Sequence, residues 1–250
     1  MKKFWIGWGR WKLKVEGNQL QVAKRLAALE AVGCVKDGFV VGLGSGSTAA
    51  FAVEALGERV RREGLRVFGV PTSYQAFLLA VECGVPVTSL DERPVVDVVI
   101  DGADQVAPDL CLIKGMGAAL VREKIVAVAS RFNVIVADES KCVRVLGEGG
   151  QVVPVEVLPF AVSLVKRKIE ELGGGVVLRV GSGKLGPVVS DNGNFVLDCC
   201  FGEIADPAGL AASLKMIAGV VETGLFVGLT DVVYVGSASG VKKLERVRGQ

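Results

Sequence analysis

Two aspartates, Asp101 and Asp104, stand three positions apart after the apolar run of residues 95–100. The run is rich in β-branched residues and is interrupted only by Asp97, which predicts a strand buried on both faces. Two carboxylates where such a strand ends can hold different protonation states and bind sugar hydroxyls. The alternative interpretation is an ordinary Asp-Gly turn without a ligand. It is weakened because two acidic residues follow a strand that is otherwise apolar.

A loop of glycine and hydroxyl residues lies between the apolar run 39–43 and a helical pattern. Its members are Gly44, Ser45, Gly46, Ser47 and Thr48. The unpaired N–H groups and the positive dipole end of a helix start suit a phosphate. The loop is not a Walker A motif, because no lysine follows its last glycine, and Ala49 replaces the third glycine of G-x-G-x-x-G. A tight turn with a Ser or Thr N-cap is the alternative.

Two lysines and a glutamate add further chemistry. Lys114 precedes Gly115-Met116-Gly117, whose glycines let the backbone pass close to a ligand. Glu123 lies about two turns into the next helical pattern, and Lys141 follows the apolar run 133–137. Glu123 also fits an exposed helical position, and Lys141 also fits a solvated charged loop. At a strand end, Lys141 can contact an anion.

The chain has no histidine, which excludes imidazole triads, histidine-bound zinc and histidine-bound haem. Acid–base chemistry near neutral pH must therefore use carboxylates, lysine, tyrosine, cysteine or water. The six cysteines show no C-x-x-C spacing, so no zinc or redox site is indicated. We expect them to be small buried hydrophobes in a reducing cytosol.

Charge and hydropathy argue against nucleic acid and membranes as partners of this chain. The net charge is +2, and short basic clusters such as Lys24-Arg25 lie among acids, so we expect solvated helix faces and no nucleic acid. The longest uncharged stretch, residues 38–53, is shorter than the about 20 residues of a membrane span. Residues 1–16 lack the apolar region of a secretory signal, so we expect a cytoplasmic protein. The stripe Trp5, Trp8 and Trp11 is expected to dock on protein.

Alternating strands and helices predict a Rossmann-like α/β domain, a parallel sheet with helices on both faces. Its helices are expected at residues 19–32, 49–63, up to 83, and 115–130. Its strands are expected at residues 39–43, 65–70, 85–88, 95–100, 133–137 and 232–235, with a charged tail at 241–246.

A β-α-β-β-α-β order follows residue 151 and predicts a smaller, inserted ferredoxin-like α+β domain. Its segments are expected at residues 152–157, 159–172, 176–180, 187–199, 206–218 and 220–227. We therefore assign residues 1–150 and 229–250 to the Rossmann-like catalytic domain and residues 151–228 to the small domain. Ligands bind beyond the carboxyl ends of parallel strands, so the motifs above should form one pocket.

These motifs together give the chain a resemblance to the type A ribose-5-phosphate isomerases. The matching segments, in order from about residue 20 to residue 245, are 41–48, 101–104, 113–115, 122–124, 137–141, 154–157 and 190–194.

The resemblance implies interconversion of ribose 5-phosphate and ribulose 5-phosphate, in the pentose phosphate pathway, without a metal or organic cofactor. It implies Glu123 as the proton acceptor and Asp101 and Asp104 as contacts to the sugar. On chemical grounds we also expect Lys114, Asp101 and Asp104 to be catalytic. Lys114 would stabilise the developing oxyanion, and the two aspartates, in roles left open, would move protons among the hydroxyls and assist ring opening. The implied substrate-binding residues are Ser45, Gly46, Ser47, Thr48, Gly102, Ala103, Gly115, Met116, Gly117 and Lys141. It also implies a homodimer or homotetramer.

Two departures from the family pattern leave alternatives open. Gln105 stands where the family usually has glutamate, and Met116 interrupts a glycine stretch that is usually longer. Altered affinity or sugar preference is therefore an alternative, as is isomerisation of another phosphorylated sugar. A non-catalytic sugar-phosphate sensor is a third reading, weakened because the roughly 18 residues before the first helix are too few for a DNA-binding module.

Overall fold

The computed structural model describes residues 19–183 and 185–246, so the three tryptophans lie outside the described residues. The strands in chain order are β1 Val40–Leu43, β2 Phe68–Pro71, β3 Val98–Gly102, β4 Gln105–Val106, β5 Leu112–Ile113, β6 Asn133–Asp138, β7 Val153–Val157, β8 Gly175–Leu178, β9 Phe195–Cys200, β10 Val220–Thr223, β11 Leu225–Phe226, β12 Val232–Ser237 and β13 Gly240–Glu245. The helices are α1 Gln19–Val32, α2 Ser47–Glu63, α3 Tyr74–Cys83, α4 Leu120–Ala129, α5 Val162–Glu171 and α6 Pro207–Lys215.

The main sheet has the strand order β13-β12-β6-β3-β1-β2, and every pair except β12 with β13 is parallel. The apolar strands that the sequence predicts are its buried centre, with α1 and α2 packed on one face and α4 on the other. Leu43, the last residue of β1, pairs with Ile100 of β3. The residues that follow each of them, Gly44 and Asp101, are thereby brought together.

A second, antiparallel sheet has the order β10-β7-β9-β8 and carries α5 and α6. In chain order it is β-α-β-β-α-β, as the ferredoxin-like prediction requires. Val165, Ile169 and Leu214 are fully buried against it, which gives the sheet a core of its own. The domain boundaries near residues 150 and 229 stay a prediction.

Several expected segments are wrong in detail. Residues 220–227 divide into β10 and β11 at Gly224, because β10 pairs with β7 and β11 pairs with β5. β11 instead joins β4 and β5 in a three-stranded sheet that the sequence reading missed. The expected tail forms β13, and residues 85–88 make only an isolated bridge at Val87. Residues 187–199 begin as a strand only at Phe195, after a turn.

Two further expectations concern the cysteines and the membrane. Cys111 and Cys199 are buried, but Cys142 and Cys200 are exposed, so burial does not hold for all six. Within the described residues, no helix is both long and apolar enough to cross a membrane.

Candidate active site

A cleft with a volume of about 130 Å³ opens where β1 and β3 end. It is lined by Lys24, Ser45, Gly46, Ser47, Thr48, Gly102, Ala103, Asp104, Lys114, Gly115, Gly117, Glu123 and Lys141. Twelve of the fourteen predicted site residues are therefore in one place. The other two, Asp101 and Met116, do not line the cleft.

The glycine loop forms one end of the cleft. Gly46 has a φ of 92°, which favours glycine, and α2 begins at the next residue without a side-chain cap from the described residues. The first N–H groups of an α-helix have no partner within the helix. The Ser47 and Thr48 side chains stand beside them at the cleft. This is the geometry of an anion site, as the sequence predicts.

Lys24 also lines the cleft, although the sequence did not predict it. It was expected on a solvated helix face, yet its half-buried side chain lines the cleft, and its Nζ donates to Ser47 Oγ over 3.1 Å. Across residues 19–183 and 185–246, no carboxylate forms an ion pair with Lys24 or Lys141. These two ammonium groups thus leave positive charge beside the helix start. The contact joins α1 to α2, and no local motif around Lys24 reveals it.

Asp101 lies behind the cleft rather than in it. The Asp101 side chain packs directly against the backbone of Gly44. Only glycine fits there, because a Cβ at position 44 would lie 2.3 Å from Asp101 Oδ1. The same oxygen accepts hydrogen bonds from the backbone N–H groups of Ser45, at 3.0 Å, and Gly102, at 2.7 Å. Its other oxygen lies 3.0 Å from Lys114 Nζ. Asp101 therefore ties the glycine loop to the lysine.

Lys114 is an almost fully buried ammonium at the centre of the site. It follows β5, and its Nζ donates to the Gly102 carbonyl over 2.5 Å and lies 3.3 Å from Glu123 Oε2. Burial alone would lower its pKa, but the carboxylates of Asp101 and Glu123 outweigh burial and raise the pKa above the ordinary value. Lys114 is therefore charged at neutral pH and can stabilise a developing oxyanion.

Glu123 is the buried carboxylate that faces this lysine from the first turn of α4. Burial, together with the nearby charge of Asp101, raises its pKa to about 8, although Lys114 opposes the shift. Its Oε2 accepts no hydrogen bond from the described residues. A cleft-lining carboxyl group with a raised pKa is suited to take and return a proton near neutral pH.

Asp104 and the loop after Lys114 form the remaining wall. Asp104 Oδ2 accepts the Met116 N–H over 3.0 Å, so Met116 contributes its backbone while its side chain is half exposed. Arg179 of the second sheet holds the same loop, donating to the carbonyls of Gly115, at 2.9 Å, and Met116, at 3.0 Å. The predicted helix starts late, at Leu120, because these residues form a turn.

Gln105 turns away from the cleft. Its Oε1 accepts the Gly147 N–H and its Nε2 donates to the Glu148 carbonyl, each over 2.8 Å. An amide fits this pair of contacts, because it offers one acceptor and one donor. The departure at Gln105 therefore serves a neighbouring turn rather than the ligand.

The chain is similar to known proteins over most of its length. The family model described as ribose 5-phosphate isomerase A (phosphoriboisomerase A) matches residues 68–240. Ribose-5-phosphate isomerase A of Methanothermobacter thermautotrophicus is 53% identical over 221 residues, which cover 88% of this chain and 96% of that protein.

Two solved structures share the fold. That of ribose 5-phosphate isomerase A from Methanocaldococcus jannaschii is 46% identical, has a TM-score of 0.87, and covers 90% of this chain and 99% of its own. A D-ribose-5-phosphate isomerase in complex with phospho-erythronic acid is 43% identical, has a TM-score of 0.89, and covers 92% of this chain and 100% of its own.

A buried acid–base pair facing an anion-binding helix start is what an aldose–ketose isomerase of phosphorylated sugars requires. The fold and the site thus define the class of the protein. The extent of the matches narrows that class, and the chain belongs to the ribose-5-phosphate isomerase A family.

Proposed function

We propose that this chain interconverts ribose 5-phosphate and ribulose 5-phosphate with Glu123 as the base that moves the proton. The observation that carries the proposal is the contact between Glu123 and Lys114, 3.3 Å apart and both buried at the cleft. The complex of a relative with phospho-erythronic acid supports it, since the carboxylate of that compound resembles a planar enediolate.

The phosphate group is assigned to the glycine-loop end. Lys24, Lys141 and the start of α2 supply positive charge there, and Ser47 and Thr48 supply hydroxyl donors. Binding energy at this end orients the sugar, because the phosphate lies remote from the reacting carbons.

The reacting carbons are assigned to the other end. Glu123 removes the proton from C2 of the open-chain aldose, and the electron pair forms the C1–C2 double bond as the C1 carbonyl oxygen becomes negative. Lys114 stabilises that oxygen. A proton passes from O2 to O1, and protonated Glu123 returns its proton to C1, giving the ketose. Asp104, at the cleft wall, is assigned to the sugar hydroxyls, and Asp101 keeps Lys114 in place.

Assembly and location complete the proposal. We assign the protein to the cytoplasm as a homodimer or homotetramer. Fully exposed Phe160 and largely exposed Met216, with Leu158 and Leu172 half exposed, support self-association through the second sheet and its helices. Sedimentation equilibrium tests this assignment. A mass of two or four times 26.2 kDa is expected, and a mass equal to that of the monomer contradicts it.

The function is tested by assaying the purified chain on ribose 5-phosphate, with ribose and another phosphorylated aldose as comparison substrates. The proposal is supported if ribose 5-phosphate is converted to ribulose 5-phosphate while ribose, which lacks the phosphate group, is not converted. Equal turnover of another phosphorylated aldose favours a different substrate, and ligand binding without turnover favours a sensor.

A further inference from the structure

The turn of residues 190–194, named here the bridging turn, lies outside the cleft but contacts the helix that carries Glu123. It belongs to the second sheet and precedes β9. Ser190 N donates to the Asn194 carbonyl over 2.8 Å, and Ser190 Oγ accepts from the N–H groups of Asn192 and Asn194, both at 3.3 Å. The turn is thus closed by its own hydrogen bonds.

Glu156 holds the bridging turn from below. This carboxylate of β7 is fully buried, and its Oε1 accepts hydrogen bonds from Ser190 Oγ at 2.8 Å, Asn192 Nδ2 at 3.0 Å and Asn194 Nδ2 at 2.8 Å. A buried carboxylate needs such donors. Three donors from one turn on one oxygen fix where the turn sits on the sheet.

Asn192 connects this anchor to α4. Because its amide N–H₂ faces the Glu156 carboxylate, its carbonyl Oδ1 faces the opposite way and accepts from Arg122 Nε over 2.8 Å. Arg122 Nη2 also donates to the Asp191 carbonyl over 2.7 Å. The residue immediately before Glu123 is therefore held in a two-point contact.

The residue immediately after Glu123 is held as well. Lys124 Nζ contacts Glu222 Oε1 and the Leu225 carbonyl, both at 2.9 Å. Neighbouring residues on an α-helix point about 100° apart, so Arg122 and Lys124 lie on either side of Glu123. These two contacts on opposite sides of the helix add to its buried apolar face in fixing the rotation of α4 about its axis.

We propose that Asn192 is a positioning residue, which acts through Arg122 to aim the Glu123 carboxylate at the cleft. The inference rests on the proposed function. It assigns the second sheet a part in catalysis. Arg122 is held by Asn192 of the bridging turn, and Lys124 is held by Glu222 of β10, a strand of that sheet. Asn192 itself does not line the cleft.

The test compares Asn192→Ala with the matched control Asn194→Ala. Both variants lose one hydrogen bond to Glu156 Oε1, but only the first loses the contact with Arg122. We expect kcat to fall about tenfold in Asn192→Ala with KM within about twofold, and we expect near-normal kcat in Asn194→Ala. The acidic limb of the kcat/KM profile should also move to lower pH in Asn192→Ala alone, as Glu123 becomes more hydrated.

Thermal unfolding of both variants separates positioning from loss of fold. If Asn192→Ala is poorly folded, the milder Arg122→Lys replaces it and is expected to lower kcat likewise. Equal kcat and equal pH profiles in the folded variants and the wild type overturn the inference. An inactive wild-type chain instead defeats the proposed function, so the two failures are distinguishable.

Discussion

Lys114 Nζ and Glu123 Oε2 lie 3.3 Å apart, and each side chain is almost wholly removed from solvent. The same cleft is lined by Ser47 and Thr48 at the start of α2. One molecule with an anionic group and a reacting carbon can thus engage the helix start and the Lys114–Glu123 pair at once.

The first prediction concerns pH. The raised pKa of Glu123, to about 8, places the acidic limb of kcat/KM far above the range of an exposed carboxyl group. The charge of Asp101 raises this pKa, so Asp101→Asn should shift the limb to lower pH even though the rate falls. Asp91→Asn, at an exposed position, is the control. A limb that stays in place in Asp101→Asn would disagree with this electrostatic account.

A second prediction concerns stability. Because the folded-state pKa of Glu123 is raised, folding binds a proton, and its contribution to stability is lost as pH rises towards about 8. Glu123→Gln stays neutral and avoids that loss. Thermal scans should therefore show a higher Tm for Glu123→Gln than for the wild type at pH 9, with a small difference at pH 4. The opposite trend would mean that the attraction of Lys114 for the Glu123 carboxylate outweighs the cost of burying it.

Lys24 provides a third prediction. Lys24→Ala should raise KM for ribose 5-phosphate about tenfold or more with a smaller effect on kcat, because a charge-assisted contact contributes about 1.5–3 kcal/mol. Arg25→Ala removes the neighbouring cation from an exposed position and should leave KM unchanged. Equal KM values for the two variants would contradict a contact between Lys24 and the phosphate group.

The fourth prediction concerns Gln105. Restoring the glutamate usual in the family, Gln105→Glu, removes the donor to the Glu148 carbonyl and should lower the free energy of unfolding by about 1–3 kcal/mol. KM should stay close to that of the wild type. Denaturant titration measures the first effect, with Gln151→Glu as control. A large fall in KM would show that position 105 affects ligand binding and would contradict this interpretation.

Much of the fold follows from local pattern. The helix at residues 19–32 begins and ends as expected, and the buried strands at 39–43 and 133–137 are found within a residue of their predicted ends. Their apolar runs are long enough to decide the outcome without neighbours. The two-residue strands β4 and β5 lack such runs. They exist because β11 pairs with β5 from more than a hundred residues away.

The site shows the same division. Glycines and acids at strand ends could be predicted to meet, because the carboxyl ends of parallel strands share one edge. Lys24 could not be predicted to join them, since it reaches the cleft from the middle of α1 and not from the end of a strand. The placing of Asp101 next to the glycine loop also depended on the pairing of Leu43 with Ile100, which only the sheet register supplies.

The central claim is that Glu123 carries the proton between C2 and C1. Its most direct measurement is the turnover of Glu123→Gln on ribose 5-phosphate, together with hydrogen exchange at the reacting carbon in D₂O, against Glu139→Gln as an exposed control. We predict that kcat and exchange both fall by about a thousandfold or more in Glu123→Gln, while KM changes little. Turnover and exchange at the wild-type rate in that variant would contradict the account.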